Sequence, residues 1–100
     1  MGETQQQELI EKARQRLFQR RIFWHEGRKI VIACLIRLSD WVPLEADWWR
    51  GKEAYIIGSD LDGNFLLRHC DGTIRLWEHK LQSDTVIAAS IRDFVEKITG

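Results

Sequence analysis

A chain of 100 residues, 44% hydrophobic and 30% charged, has the composition of a single globular domain over 1–100. A domain of that size buries roughly 65% of the surface its unfolded chain exposes. Its 15 Lys and Arg balance 15 Asp and Glu, so no overall basic field draws it to nucleic acid or an anionic membrane. The longest apolar-rich run, Lys29 to Leu38, is too short to cross a bilayer. With no secretory apolar segment, and Gln6 where myristoylation wants Ser or Thr, a cytoplasmic location is the default expectation.

In chain order, Thr4 and Gln7 have capping-box spacing and open a predicted helix. Leu9, Ile10, Ala13, Leu17 and Phe18 form its apolar stripe. Lys12, Arg14, Arg16, Arg20 and Arg21 lie off that stripe. Two readings fit them: a basic face for an acidic partner or phosphate backbone, or a solvated face with Arg stems lying over apolar neighbours. A hairpin follows, Arg21–Trp24 with Lys29–Leu38, turned at Gly27. The near-continuous apolar run Ile30 to Ile36 points to a strand buried on both faces. Ser39 to Lys52, with the only proline, Pro43, reads as a loop or an irregular helical turn.

The stretch Ala54 to His79 is the scaffold. Ala54–Gly58, Asn64–Cys70 and Thr73–Glu78 are strand-like, and Asp/Gly-rich punctuation separates them into an antiparallel meander. Ser59 to Gly63 reads as a loop built by Asx side chains on their own backbone. Asp71–Gly72 reads as a two-residue hairpin turn, which pairs Cys70 with Thr73 and His69 with Ile74. Asp84–Ala88 is a further strand. A last helix starts at Ser90, with Asp93 as capping partner, places Ile91, Phe94, Val95 and Ile98 on one side, and ends near Gly100. The expected fold is α+β, an antiparallel sheet around the meander with both terminal helices packed on it.

Few residues stand in patterns that suggest chemistry. Cys34 and Cys70 sit in apolar runs and read as buried small hydrophobes in a reducing compartment. Asp60, Asp62 and Asn64 resemble the start of a calcium loop, but the glycine and the closing acid are misplaced, and an Asx turn explains the spacing. His25, His69 and His79 are scattered, and no nucleophile stands at motif spacing from them. No enzyme activity, cofactor or metal is expected.

The five tryptophans stand out. Trp41, Trp48 and Trp49 fall in the irregular segment among Asp40, Glu45, Asp47 and Arg50. Adjacent Trp48 and Trp49 diverge whether extended or helical, so one of them covers the sheet or faces outward. Two readings fit: a lid over the sheet's open face, or an aromatic anchor for a protein partner.

Gly58-Ser59-Asp60-Leu61-Asp62-Gly63-Asn64-Phe65, then Asp71-Gly72-x-Ile74-x-x-Trp77-x-His79, is similar to the middle of the SUKH superfamily. Ala88-Ala89-Ser90-x-x-Asp93-Phe94-Val95 resembles the family's closing helix, so the resemblance covers Trp48 to Ile98. It implies binding: many bacterial members are immunity proteins that neutralise toxins, often nucleases, by direct contact, while fungal relatives are regulatory hubs. On that reading Asp40, Trp41, Glu45, Asp47, Trp48, Trp49 and Arg50 are the candidate contacts. A nucleic-acid or phosphate binder using the basic helix, and a small-molecule binder with an aromatic pocket lined by Trp24, Trp41 or Trp77, are the alternatives.

Overall fold

The computed structural model describes residues 3–17, 21–46, 48–49 and 53–99. Helix α1 (Glu3–Arg16) takes in Thr4 as its second residue, inside the start that the capping box implies. Ile10, Ala13 and Leu17 are buried and Leu9 packs beside them, as the stripe requires. Phe18 and Arg20 lie outside the described residues. Strands β1 (Ile22–His25) and β2 (Arg28–Leu35) form the first hairpin. Its two turn residues, Glu26 (φ 49°) and Gly27 (φ 79°), are both left-handed, the form whose twist suits a two-residue hairpin.

β2 is buried on one face, not two. Ile30, Ile32 and Leu35 are buried, whereas Val31 and Ala33 are only half-buried and Cys34 is exposed. A register shift between Ile32 and Cys34 re-aims the strand, so that Leu35 returns to the core and Cys34 faces out. Cys70 is exposed too, at a turn. Neither cysteine is the buried small hydrophobe expected. Beyond β2 the irregular segment is more ordered than a loop. A 3-10 turn over Leu38–Asp40 leads to a two-residue strand β3 (Val42–Pro43), which pairs with the start of β4 (Ala54–Asp60).

The meander comprises β4, β5 (Phe65–His69) and β6 (Ile74–Glu78), followed by β7 (Ser83–Ala88). Helix α2 (Ile91–Lys97) ends before Ile98, which opens a short strand β8 (Ile98–Thr99) paired to β1. The helix therefore stops short of Gly100, which lies outside the described residues. The order is β7-β6-β5-β4-β2-β1-β8, with every pairing antiparallel. This is the expected α+β architecture. Among the described residues no helix is long and apolar enough to cross a membrane.

The β5–β6 loop differs from expectation by one residue. His69 N–H donates to the Thr73 carbonyl and Gly72 N–H to the His69 carbonyl, so the loop is Cys70-Asp71-Gly72. Gly72, at φ 88°, takes the left-handed position that closes a three-residue hairpin. Arg68 then faces Ile74, Leu67 faces Arg75 and Leu66 faces Leu76. A two-residue turn would have set Arg68 directly opposite Arg75, an unfavourable like-charge pair.

Both helices cover one face of the sheet. There Ile10, Ala13 and Leu17 of α1 and Ile91, Phe94 and Val95 of α2 share a core with Phe23, Ile30, Ile32, Leu66, Ile74 and Leu76. Ser90 caps α2: its Oγ accepts the Asp93 N–H at 3.1 Å, and Asp93 Oδ2 accepts the Ala89 N–H at 3.0 Å. Ser90→Ala should lower the unfolding free energy by about 1 kcal/mol. A urea midpoint identical to the parent's would show that the cap is not a determinant.

Candidate functional site

Among the described residues the opposite face of the sheet carries no helix. Alternation places Phe65, Leu67 and His69 of β5, Arg75 and Trp77 of β6, and Asp84 and Val86 of β7 on it. Leu44, Ala54, Leu67 and Trp77 form a second, smaller core there, with Trp49, Ile56 and Phe65 against it. Among the described residues, four of the six large hydrophobic ones that remain exposed, Trp24, Val42, Trp48 and Val86, lie on this face by register or contact.

Its centre is aromatic. Trp48 stacks on Trp77 with ring centroids 5.5 Å apart and stands edge-on to His79 at 5.8 Å. Trp49 meets Trp77 edge-on at 5.3 Å and His69 at 5.8 Å. Phe65 closes the group against His79 at 4.7 Å. Such offset and edge contacts add to the gain from burial. Trp49 is half-buried while Trp48 stays 46% exposed. The pair thus acts as lid and outward face at once.

An ionic chain holds the floor of this cluster. Asp84 Oδ2 lies 3.1 Å from Arg75 Nη1 and 3.2 Å from His69 Nε2, the latter an ion-pair distance without hydrogen-bond alignment. Arg75 Nη2 reaches Asp71 Oδ2 at 3.0 Å. Asp71 Oδ1 accepts from the Thr73 hydroxyl and N–H, and chiefly these bonds lower its pKa to about 2. The tryptophans therefore rest on a braced surface.

Asp60 and Asn64 fix the neighbouring corner. Asp60, buried, accepts the N–H groups of Asp62 and Asn64 and the Asn64 side-chain amide. Asn64 Oδ1 accepts the His79 N–H, which ties the first loop of the meander to the end of β6. Gly63 completes that loop at φ 82°. Asp60 is thus engaged by donors of its own loop, the Asx arrangement read from the sequence. Beside it, Arg28 binds Glu78 through both guanidinium arms and holds its carboxyl below the usual range.

The predicted contact residues divide between the two faces. Trp41 packs on Tyr55 and the helix-covered core, and its Nε1–H donates to the Ile36 carbonyl. Asp40, exposed in the 3-10 turn, lies 3.7 Å from Arg37. Trp48 and Trp49 instead reach the helix-free face, where Leu44 also packs, and Glu45, next to Leu44 in the chain, is exposed. Asp47 and Arg50 lie outside the described residues. Strand β3 is the cause: by pairing with β4 it carries the segment from one face to the other. His69, Arg75 and Asp84 were missed as members of the cluster, although Phe65, Leu67 and His69 alternate along one strand. On α1, Arg14 pairs with Glu11 and donates to the Leu35 carbonyl and Arg16 donates to the Val95 carbonyl, while Arg21, just before β1, donates to the Leu17 carbonyl. Those bonds tie these three arginines to the fold, which weighs against a row of free cations for phosphate.

Comparison of the chain with protein-family models, with curated proteins and with solved structures finds no match.

Proposed function

We propose that this is a protein-binding domain of the SUKH type, an immunity-like inhibitor that engages a toxin through its helix-free face. One observation carries the reading: Trp48 is half-exposed yet held in place by Trp77 and His79. A large aromatic surface that is already ordered loses little entropy on docking, which is what an interface anchor requires. Val86 on the neighbouring strand adds apolar area, and exposed His79, edge-on to Trp48, supplies a polar neighbour. The residues that carry the resemblance hold structural positions here: Asp60 and Asn64 in the Asx loop, Asp71 and Gly72 in the β5–β6 loop and Ser90 at the start of α2. No catalytic role is assigned to any of them.

The test looks for a toxin domain encoded beside this chain and titrates it against the parent and Trp48→Ala. Affinity should fall roughly 30-fold, about 2 kcal/mol, for loss of an aromatic anchor, while the thermal midpoint stays close to the parent's. Parent-like binding by Trp48→Ala and by Glu45→Gln would place the interface elsewhere and sink the reading.

A further inference from the structure

Two of the arginines that line clefts in this domain, Arg14 and Arg28, are neutralised by carboxylates of the chain itself. In a cleft of about 290 Å³ between α1 and β2, Arg14 pairs with Glu11. In one of about 440 Å³ near the Asx loop, Arg28 holds Glu78. Arg68 is different. It lies half-buried on β5, on the helix-covered side of the sheet, opposite Tyr55 and Ile74. Its Nε is fully covered and has no hydrogen-bond partner, and no ion pair reaches it among the described residues. A covered N–H left without an acceptor is costly, and it is stabilised by any acceptor that enters.

The surroundings specify what that acceptor is. Arg68 lines a cleft of about 490 Å³ with Gln6, Gln7, Leu38, Ser39, Trp41 and Tyr55, a size suited to a small organic molecule. A second cleft of about 200 Å³ continues from Arg68 and Gln6 to Ser90 and Arg92. Among the described residues no Asp or Glu lines either one, although the chain has as many acidic as basic residues. Trp41 and Tyr55 lie with ring centroids 6.4 Å apart. Because the Trp41 Nε1–H is already held by the Ile36 carbonyl, its indole offers the cleft mainly an apolar surface. Gln6, Gln7 and Ser39 add neutral hydrogen-bonding groups.

We propose that this cleft binds a small flat carboxylic acid, its carboxylate on the Arg68 guanidinium and its apolar body against Trp41, Tyr55 and Leu38. The site lies on the opposite side of the sheet from Trp48, so it is independent of the protein-binding reading. A planar guanidinium matches a carboxylate through paired N–H donors, and such charge-assisted bonds are stronger than neutral ones.

Benzoate is the probe, with benzamide as its neutral isostere and inorganic phosphate as a simple anion. Binding is followed by calorimetry and by the ¹⁵N–¹H signals of Arg68 Nε and Trp41 Nε1. Benzoate should bind saturably and move both signals, and benzamide should bind at least about tenfold more weakly. Arg68→Gln should lower benzoate affinity by about the same factor. So should Gln7→Glu, which sets a competing carboxylate on the exposed rim and leaves the interior untouched, so the test stands even if Arg68→Gln folds poorly. Equal affinity for benzoate and benzamide, no saturable benzoate binding, or parent-like binding by Gln7→Glu would overturn the proposal. Phosphate matching benzoate at Arg68 without moving Trp41 would also overturn it, in favour of a plain anion site.

Discussion

Phe94→Ala is expected to destabilise the domain by about 3–5 kcal/mol, the range for truncating a buried phenylalanine. Phe94 has no exposed surface, and its ring lies 5.3 Å from that of Phe23, tilted by 30°. The contact joins α2 to β1, and the next turn of chain, Ile98, pairs with Phe23 itself. Truncation therefore opens a cavity where helix, strand and the closing strand meet. With a urea m-value near 2 kcal/mol per M, a loss of about 4 kcal/mol moves the midpoint down by about 2 M. That is a large share of the 5–15 kcal/mol typical of a domain. Phe94→Leu, which keeps most of the volume, should recover most of the loss. A midpoint for Phe94→Ala within a few tenths of a molar of the parent's would show that the two rings do not support each other.

Much of this was legible because it is local. The Asp60 loop, the Gly27 turn and the Ser90 cap each involve residues within about four positions, where side-chain chemistry alone selects the backbone. The apolar spacing of Ile10, Ala13 and Leu17, and of Ile91, Phe94 and Val95, marks buried faces at helical period. What the sequence hid depends on register. An Asp-Gly pair suits a two- or a three-residue loop, and the choice between them rests on cross-strand partners. The three-residue loop sends Leu66 and Arg68 to the helix-covered side and leaves Leu67 and His69 on the other.

The candidate site was legible in composition and hidden in arrangement. Five tryptophans in 100 residues announce aromatic surface, but only the pairing of β3 with β4 separates Trp41 from Trp48 and Trp49. The contact of His69 with Asp84 spans three strands, so no spacing rule could supply it. Cys34 illustrates the same limit. It sits in an apolar run and is exposed because a register shift in β2 turns it outward.

Gly58→Ala is expected to cost about 3 kcal/mol, the upper end for overpacking a well-filled interior. A Cβ at position 58 would lie 2.3 Å from the Cys34 carbonyl oxygen and 3.0 Å from Leu35 Cδ2. The first contact is with backbone, so no rotamer change relieves it, and β2 and β4 must separate. They are held there by the Ile36 N–H to Ile57 carbonyl bond at 2.8 Å, and register shifts adjoin the position in both β2/β4 and β4/β5. These shifts let Ile57 and Leu35 join the helix-covered core while Ala54 and Ile56 support the tryptophan side. Loosening them should alter tryptophan emission as well as the urea midpoint. Gly63→Ala is the comparison: φ there is 82° and no atom lies within 4 Å of the added Cβ, so only backbone strain of about 1 kcal/mol applies. If Gly58→Ala proves no more damaging than Gly63→Ala, the close approach of β2 to β4 does not explain the glycine.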